Sequence, residues 1–222
     1  MRGRFISFEG GEGTGKSTHA KLLAERLRGL ALDVVLTREP GGSVGAEIIR
    51  HVLLSGAAQP FGPDAEAILF AAARADHVDT VIRPALQRGA WVLCDRFIDS
   101  TRVYQGVAGQ ADPRIIRALE RISVGDAMPD LTLVLDVLPE IGLQRAAARR
   151  RGESADRFEQ EALDFHVKLH NAYRAAAEQA PGRCVLIDAV RPKDRVAEEI
   201  WTIVQQRLEP GRARASLAQA AS

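Results

Sequence analysis

Gly10-Gly11-Glu12-Gly13-Thr14-Gly15-Lys16-Ser17-Thr18 follows directly on the apolar run Phe5-Ile6-Ser7-Phe8. Gly10, four free positions, then Gly15, Lys16 and Ser17 have the spacing of a phosphate-binding loop. Small residues let consecutive backbone N–H groups turn toward one point, and a helix opening at Lys16 would aim the positive end of its dipole there. A polyphosphate suits such a nest. Lys16 would reach the outer phosphates, and the Ser17 hydroxyl would ligate Mg²⁺. Without a ligand, the same residues would make a glycine-rich turn from strand to helix.

Further groups could share that chemistry. Asp95 ends the apolar run 90–94, where a carboxylate needs a partner; Mg²⁺ is the partner a phosphate loop suggests, and a strand-end cap is the structural alternative. Arg96 follows it, and Arg38 holds a comparable place after Val34-Val35-Leu36. A guanidinium fork matches phosphate oxygens and stays charged at every pH, so two arginines at one crevice point to a second anionic group, with surface salt bridges as the alternative. Phe70 and Arg74 are four apart on one helical face, able to stack a base and donate to its exocyclic oxygen, or else to serve as core plus salt bridge. Arg149-Arg150-Arg151, with Arg157 beyond Gly152-Glu153-Ser154, reads as a solvated basic face or as a closing lid. A lid would deliver an arginine to a phosphoryl-transfer transition state and exclude water.

These groups need a scaffold that brings them together. The 222 residues, 46% hydrophobic and 27% charged, suit a globular domain over 1–208 with a small mobile lid at about 149–157. Thirty basic residues against twenty-nine acidic, a formal charge of +1, advertise neither a nucleic-acid nor a membrane partner. No apolar run approaches transmembrane length and the first residues lack a signal-peptide core, so a cytoplasmic location is expected. Cys94 and Cys184, both in apolar strand-like runs, read as buried free thiols.

Strands are expected at 5–8, 34–36, 90–94, 131–136 and 184–188. Helices are expected after Lys16, at about 46–54, from 64 to about 86, at 113–124, from 139 into the arginine run, at about 158–179 and at 195–208. The polar stretch from Asp95 through Gly109 carries no clear period, and 209–222, rich in Ala and Arg, is expected to be disordered. Apolar strand runs alternating with helices argue for a five-stranded parallel sheet in a three-layer α/β/α sandwich. Ligands then bind beyond the carboxyl ends of the strands, where the phosphate loop, 38–42 and 95–105 should converge.

Phe8-Glu9-Gly10 leading into the loop, Thr37-Arg38-Glu39-Pro40-Gly41-Gly42, Phe70-Ala71-Ala72-Ala73-Arg74 and Asp95-Arg96-Phe97 with Ser100-Thr101 occur in that order. They are followed by Tyr104-Gln105-Gly106, Pro129-Asp130-Leu131-Thr132 and Asp156-Arg157-Phe158-Glu159. Over about residues 4–190 the chain thereby resembles bacterial thymidylate kinases, P-loop enzymes that transfer the γ-phosphate of ATP to dTMP. The resemblance implies that Arg38 and Arg96 hold the dTMP phosphate, Phe70 stacks on thymine and Arg74 bonds its O4. It also implies that Ser100 and Gln105 help read the base, Tyr104 crowds the 2′ position and Glu12 approaches the 3′-hydroxyl. The loop contains no arginine and the lid is basic, as in the lid-arginine subtype, making Arg149, Arg151 and Arg157 the candidates. A homodimer joined through helices flanking the sheet is likewise implied. Val103 stands where the family pattern has a smaller alanine, and the lid is longer than in the shortest relatives.

A phosphate monoester has its second pKa near about 6, so such an acceptor is mostly deprotonated at neutral pH and needs no catalytic base. A deoxynucleoside kinase would need one, and Glu9 or Glu39 could be proposed for it. A phosphate-loop switch would need a guanine-reading Asn-Lys-x-Asp stretch, which the sequence lacks.

Overall fold

The computed structural model describes residues 2–150 and 157–210. The five apolar runs form β1 (Phe5–Glu9), β2 (Val34–Arg38), β3 (Trp91–Asp95), β4 (Leu131–Asp136) and β5 (Cys184–Asp188). They make one all-parallel sheet in the order β2-β3-β1-β4-β5. From β1 the sheet extends one way through β3 and β2 and the other way through β4 and β5. The carboxyl end of the central strand β1 is therefore the topological switch point, the natural crevice of an open α/β sheet.

Both faces of the sheet are covered, which is why its strands carry continuous apolar runs. Ile6, Phe8, Leu93, Leu131 and Leu133 pack against α1 (Lys16–Gly29) and α9 (Lys193–Leu208) through Leu23, Leu27, Val196 and Ile200. On the other face, Phe5, Val92 and Cys94 meet Val78, Ile82 and Leu86, while Val134 and Cys184 meet Leu169 and Tyr173 of α8 (Leu163–Gln179). The expected three-layer arrangement results. Both cysteines are buried and free.

The remaining helices are α2 (Val44–Leu54), α3 (Gly62–His77), α4 (Arg83–Gln87), α5 (Ile98–Thr101), α6 (Pro113–Ser123) and α7 (Pro139–Arg149). Three stretches differ from expectation. The helix predicted over 64–86 is α3 and α4 joined by a π-helical segment, Val78–Ile82. Widening the turn before Pro84 relieves the clash its ring would make with the preceding turn. The polar stretch after Asp95 is helical, α5 continuing into a π-helical Arg102–Ala108. Its polar face lines the crevice instead of solvent, so its polarity imitates a loop. The helix expected from 158 begins at Leu163. Phe158 is instead held in a turn, its ring edge-on to Tyr104 at 5.4 Å. Lid residues 151–156 and tail residues 211–222 lie outside the described residues.

Candidate active site

The phosphate loop joins β1 to α1, with Gly10, Gly13 and Gly15 at φ 132°, 65° and 95°, values that L side chains rarely adopt. Gly13 also abuts the carbonyl of Gly142 in α7, and Gly142 abuts the carbonyl of Glu12, so neither position has room for a Cβ. Lys16 donates to the carbonyls of Gly11 (2.6 Å) and Gly10 (3.2 Å). Burial and the Arg96 guanidinium push its ammonium down to about 8, against the pull of Glu12, Asp95 and Glu9. Thr14, buried, donates to Gly11 O at 3.1 Å and braces the loop; Thr18, next to Ser17, borders the adjoining cavity.

Asp95 ends β3 opposite Phe8 of β1, a register that sets its carboxylate against the loop, where the Ser17 hydroxyl donates to it. Among the described residues no group of three or more His, Cys, Asp and Glu is placed to hold a metal. Mg²⁺ does not need such a cage: it is bound by one or two protein oxygens plus substrate phosphates and water. Ser17 and Asp95, both hard oxygen donors at the mouth of the loop, fit it.

Beside the loop opens a cavity of about 420 Å³. Arg96, at φ 68°, projects into it. One Nη donates to Gly10 O (2.9 Å) and Tyr173 Oη (3.2 Å), the other pairs with Glu12, and the guanidinium lies 5.0 Å over the Tyr104 ring. Tyr104 Oη donates to the same Glu12 carboxylate at 2.9 Å. Burial alone would raise Glu12, but Arg96, Lys16 and the Tyr104 hydrogen bond outweigh it and hold the carboxyl at about 2. Glu12 is thus a permanent anion tying the loop to the cavity wall.

The predicted acceptor residues line this cavity: Arg38, Phe70, Arg74, Ser100, Tyr104 and Gln105. Arg38, at the rim, pairs with Glu47 at 3.0 Å. Arg74 is 2% exposed, with Nε on Glu39 (2.8 Å) and Nη2 on Thr101 Oγ1 (2.9 Å). Arg74 thus forms the buried salt bridge that its alternative reading expected, while also lining the cavity. Gln105 is buried, while Phe70 is half-buried, 6.3 Å from Phe158.

The lid arginines separate. Arg149, the last residue of α7, lines the cavity and lies 3.6 Å from Glu159. Arg157 is paired with Glu66 of α3 and stacked on Phe158 at 4.6 Å, and is not among the residues lining the cavity. Arg151 lies outside the described residues. Sequence reasoning missed Arg50, which donates to Pro40 O at 2.6 Å and lines the cavity, and Tyr173 behind Arg96. It raised Glu9 only as a base. Glu9 is fully buried behind the wall, raised to about 7 by burial and by Asp99 against the hydrogen bond from Ser100.

A parallel sheet carrying a phosphate loop at its switch point, with that loop and several arginines lining one shared cavity, defines a nucleotide-binding α/β protein of the phosphate-loop class. The chain belongs to the thymidylate kinase family, whose model matches residues 8–200. It is 59% identical over 207 residues to thymidylate kinase of Nitrobacter winogradskyi, covering 93% of this chain and 90% of that protein. It is also 59% identical over 209 residues to thymidylate kinase of Bradyrhizobium diazoefficiens, covering 94% and 92%. The crystal structure of thymidylate kinase from Ehrlichia chaffeensis superposes with a TM-score of 0.75 at 31% identity, covering 92% of this chain and 100% of that one.

Proposed function

We propose that the chain transfers the γ-phosphoryl group of ATP to dTMP, giving ADP and dTDP, with Mg²⁺. The observation that carries this reading is Arg96, which bonds a phosphate-loop carbonyl and the loop's Glu12 while facing the adjoining cavity. Donor loop and acceptor cavity thus share one wall. Bound at Ser17 and Asp95, Mg²⁺ would neutralise charge on the transferring phosphoryl group.

The chain's own residues align two polyanions and offset their repulsion. The loop N–H groups and Lys16 hold the ATP phosphates; Arg96, with Arg38 at the rim, holds the phosphate of dTMP. Phe70 stacks on thymine, and Arg74, Ser100 and Gln105 read its edge. Tyr104 crowds the ribose 2′ position, and Glu12 accepts from the 3′-hydroxyl. Of the lid candidates Arg149, Arg151 and Arg157, Arg149 lines the cavity and supplies transition-state charge, while Arg157 is spent on Glu66. No base is required, because the acceptor phosphate is already ionised at neutral pH. The deoxynucleoside kinase alternative is disfavoured, because Glu39 is engaged by Arg74 and His77 and Glu9 lies behind the cavity wall.

The same proposal covers a catalytic domain over 1–208, a cytoplasmic location and a homodimer. No helix among the described residues is long and apolar enough to cross a membrane. Val44 and Ile48, 86% and 67% exposed, with Val52 one turn on, form an apolar stripe along α2 that supports pairing through this helix. ADP release measured with dTMP, dUMP, thymidine or no acceptor tests the chemistry: dTMP should be the preferred acceptor. Turnover with thymidine alone, or without any acceptor, would reject it.

A further inference from the structure

We infer that Glu9 is a positioning residue for the acceptor phosphate, acting through Arg96. The inference rests on the reading of Arg96 as the group that holds that phosphate. Glu9 closes β1, the central strand, where a carboxylate would ordinarily be replaced by an apolar side chain, and it is wholly buried. Its two oxygens are spent on the two ends of a single short segment. Oε1 accepts the Phe97 N–H at 2.8 Å, and Oε2 accepts the Ser100 hydroxyl at 2.6 Å.

Arg96 lies at the start of that segment. Its backbone is left-handed, at φ 68°, a conformation costly for a residue with a side chain and held only where its surroundings dictate it. The Arg96 N–H is taken by Phe8 O at 2.9 Å, so β1 grips the peptides on both sides of Arg96: one through the Phe8 carbonyl, the other through the Glu9 side chain. The second oxygen of Glu9 orients Ser100, which in turn accepts from Arg96 Nη1 at 3.4 Å and contacts Tyr173 Oη at 2.8 Å. Glu9 therefore fixes both where the Arg96 backbone points and one of the acceptors its guanidinium rests on.

Burial by itself does not explain a carboxylate here. Asp99, beside Ser100 in α5, is charge-matched by Arg183 and Arg102, whereas Glu9 is met by two hydroxyls and an N–H. An acid in that place is unfavourable unless the geometry it imposes is used.

A double-mutant cycle on ligand binding tests this. Dissociation constants for dTMP and for ATP would be measured calorimetrically for wild type, Glu9→Gln, Arg96→Ala and the double variant, with thermal unfolding of each. Glu9→Gln should weaken dTMP binding about tenfold, and ATP binding less than about twofold. In the Arg96→Ala background the same change should add nothing further for dTMP. Glu9→Ala, which leaves the Phe97 N–H without its acceptor, should weaken dTMP more than Glu9→Gln, whose oxygen can still take it. The isosteric glutamine keeps the test decisive if the alanine variant does not fold. Equal losses for dTMP and ATP, or additive losses in the double variant, would assign Glu9 a merely structural role and overturn the inference. Arg96→Ala binding dTMP like wild type would overturn the acceptor reading and the inference together. Loss of dTMP in Arg96→Ala with none in Glu9→Gln would overturn the inference alone.

Discussion

Lys16 Nζ lies 2.6 Å from the carbonyl oxygen of Gly11, folded back on the loop that carries it. Its ammonium is stabilised by carbonyls that an incoming phosphate would replace, and burial together with Arg96 lowers its pKa to about 8 from the ordinary 10.5. For a base with a depressed folded pKa the linkage sign is clear. The folded protein bears the full cost below about pH 8, and that cost fades between about 8 and 10.5. Lys16→Met should therefore raise Tm by a few degrees at pH 7 while lowering kcat by about 10²-fold or more. A scanning calorimeter and the coupled assay read the two effects, and a fall in Tm at pH 7 would contradict the electrostatic argument.

The buried carboxylates give opposite pH signatures. Glu12, held at about 2 against an ordinary 4.5, contributes stability above pH 4.5 that is lost as pH falls toward 2. Glu9, raised to about 7, favours the folded state's proton, so its contribution falls as pH rises from 4.5 to 7. Tm profiles of Glu12→Gln should lose slope in the acid window and those of Glu9→Gln in the neutral one. Identical profiles for the two variants would show that the assignments are wrong.

Arg149 and Arg157 should separate catalysis from stability. Arg149, 64% exposed, faces the cavity, whereas Arg157 neutralises the buried Glu66. Arg149→Ala is expected to lower kcat by about 10²-fold or more with little change in Tm. Arg157→Ala leaves a buried carboxylate unpaired, at a cost of about 1–3 kcal/mol, and should lower Tm, with Glu66→Gln restoring much of it. A kcat loss confined to Arg157→Ala would move the transition-state role to that residue.

Ile48→Glu places a charge in the exposed stripe of α2. Light scattering should give twice the 24.1 kDa chain mass for the wild type and the single-chain mass for this variant. A wild type that runs as a monomer at micromolar concentration would remove the dimer proposal.

The sheet was legible because each strand, covered on both sides, is a continuous apolar run, and the loop because its glycines and lysine have fixed spacing. The face carrying Arg96, Ser100 and Tyr104 was harder to see. Ser100 and Tyr104 are four apart along a helical stretch, yet their polarity suits a crevice and so resembles a loop, and Arg96 stands before that stretch at a left-handed φ. Glu9 and Arg157 act through Phe97 and Glu66, partners 88 and 91 residues away, and no local pattern announces such pairs.

The close approach of Gly13 and Gly142 packs the phosphate loop directly against the helix that ends in Arg149. With backbone resting on backbone, α7 is seated against the donor loop at Gly142 and carries Arg149 at its far end. From Gly142 to Arg149 the helix runs about 10 Å, so a 10° tilt would swing the arginine by about 2 Å. A methyl group added at Gly142 would therefore press on the Glu12 carbonyl of the phosphate loop and shift the helix that carries Arg149 at the same time.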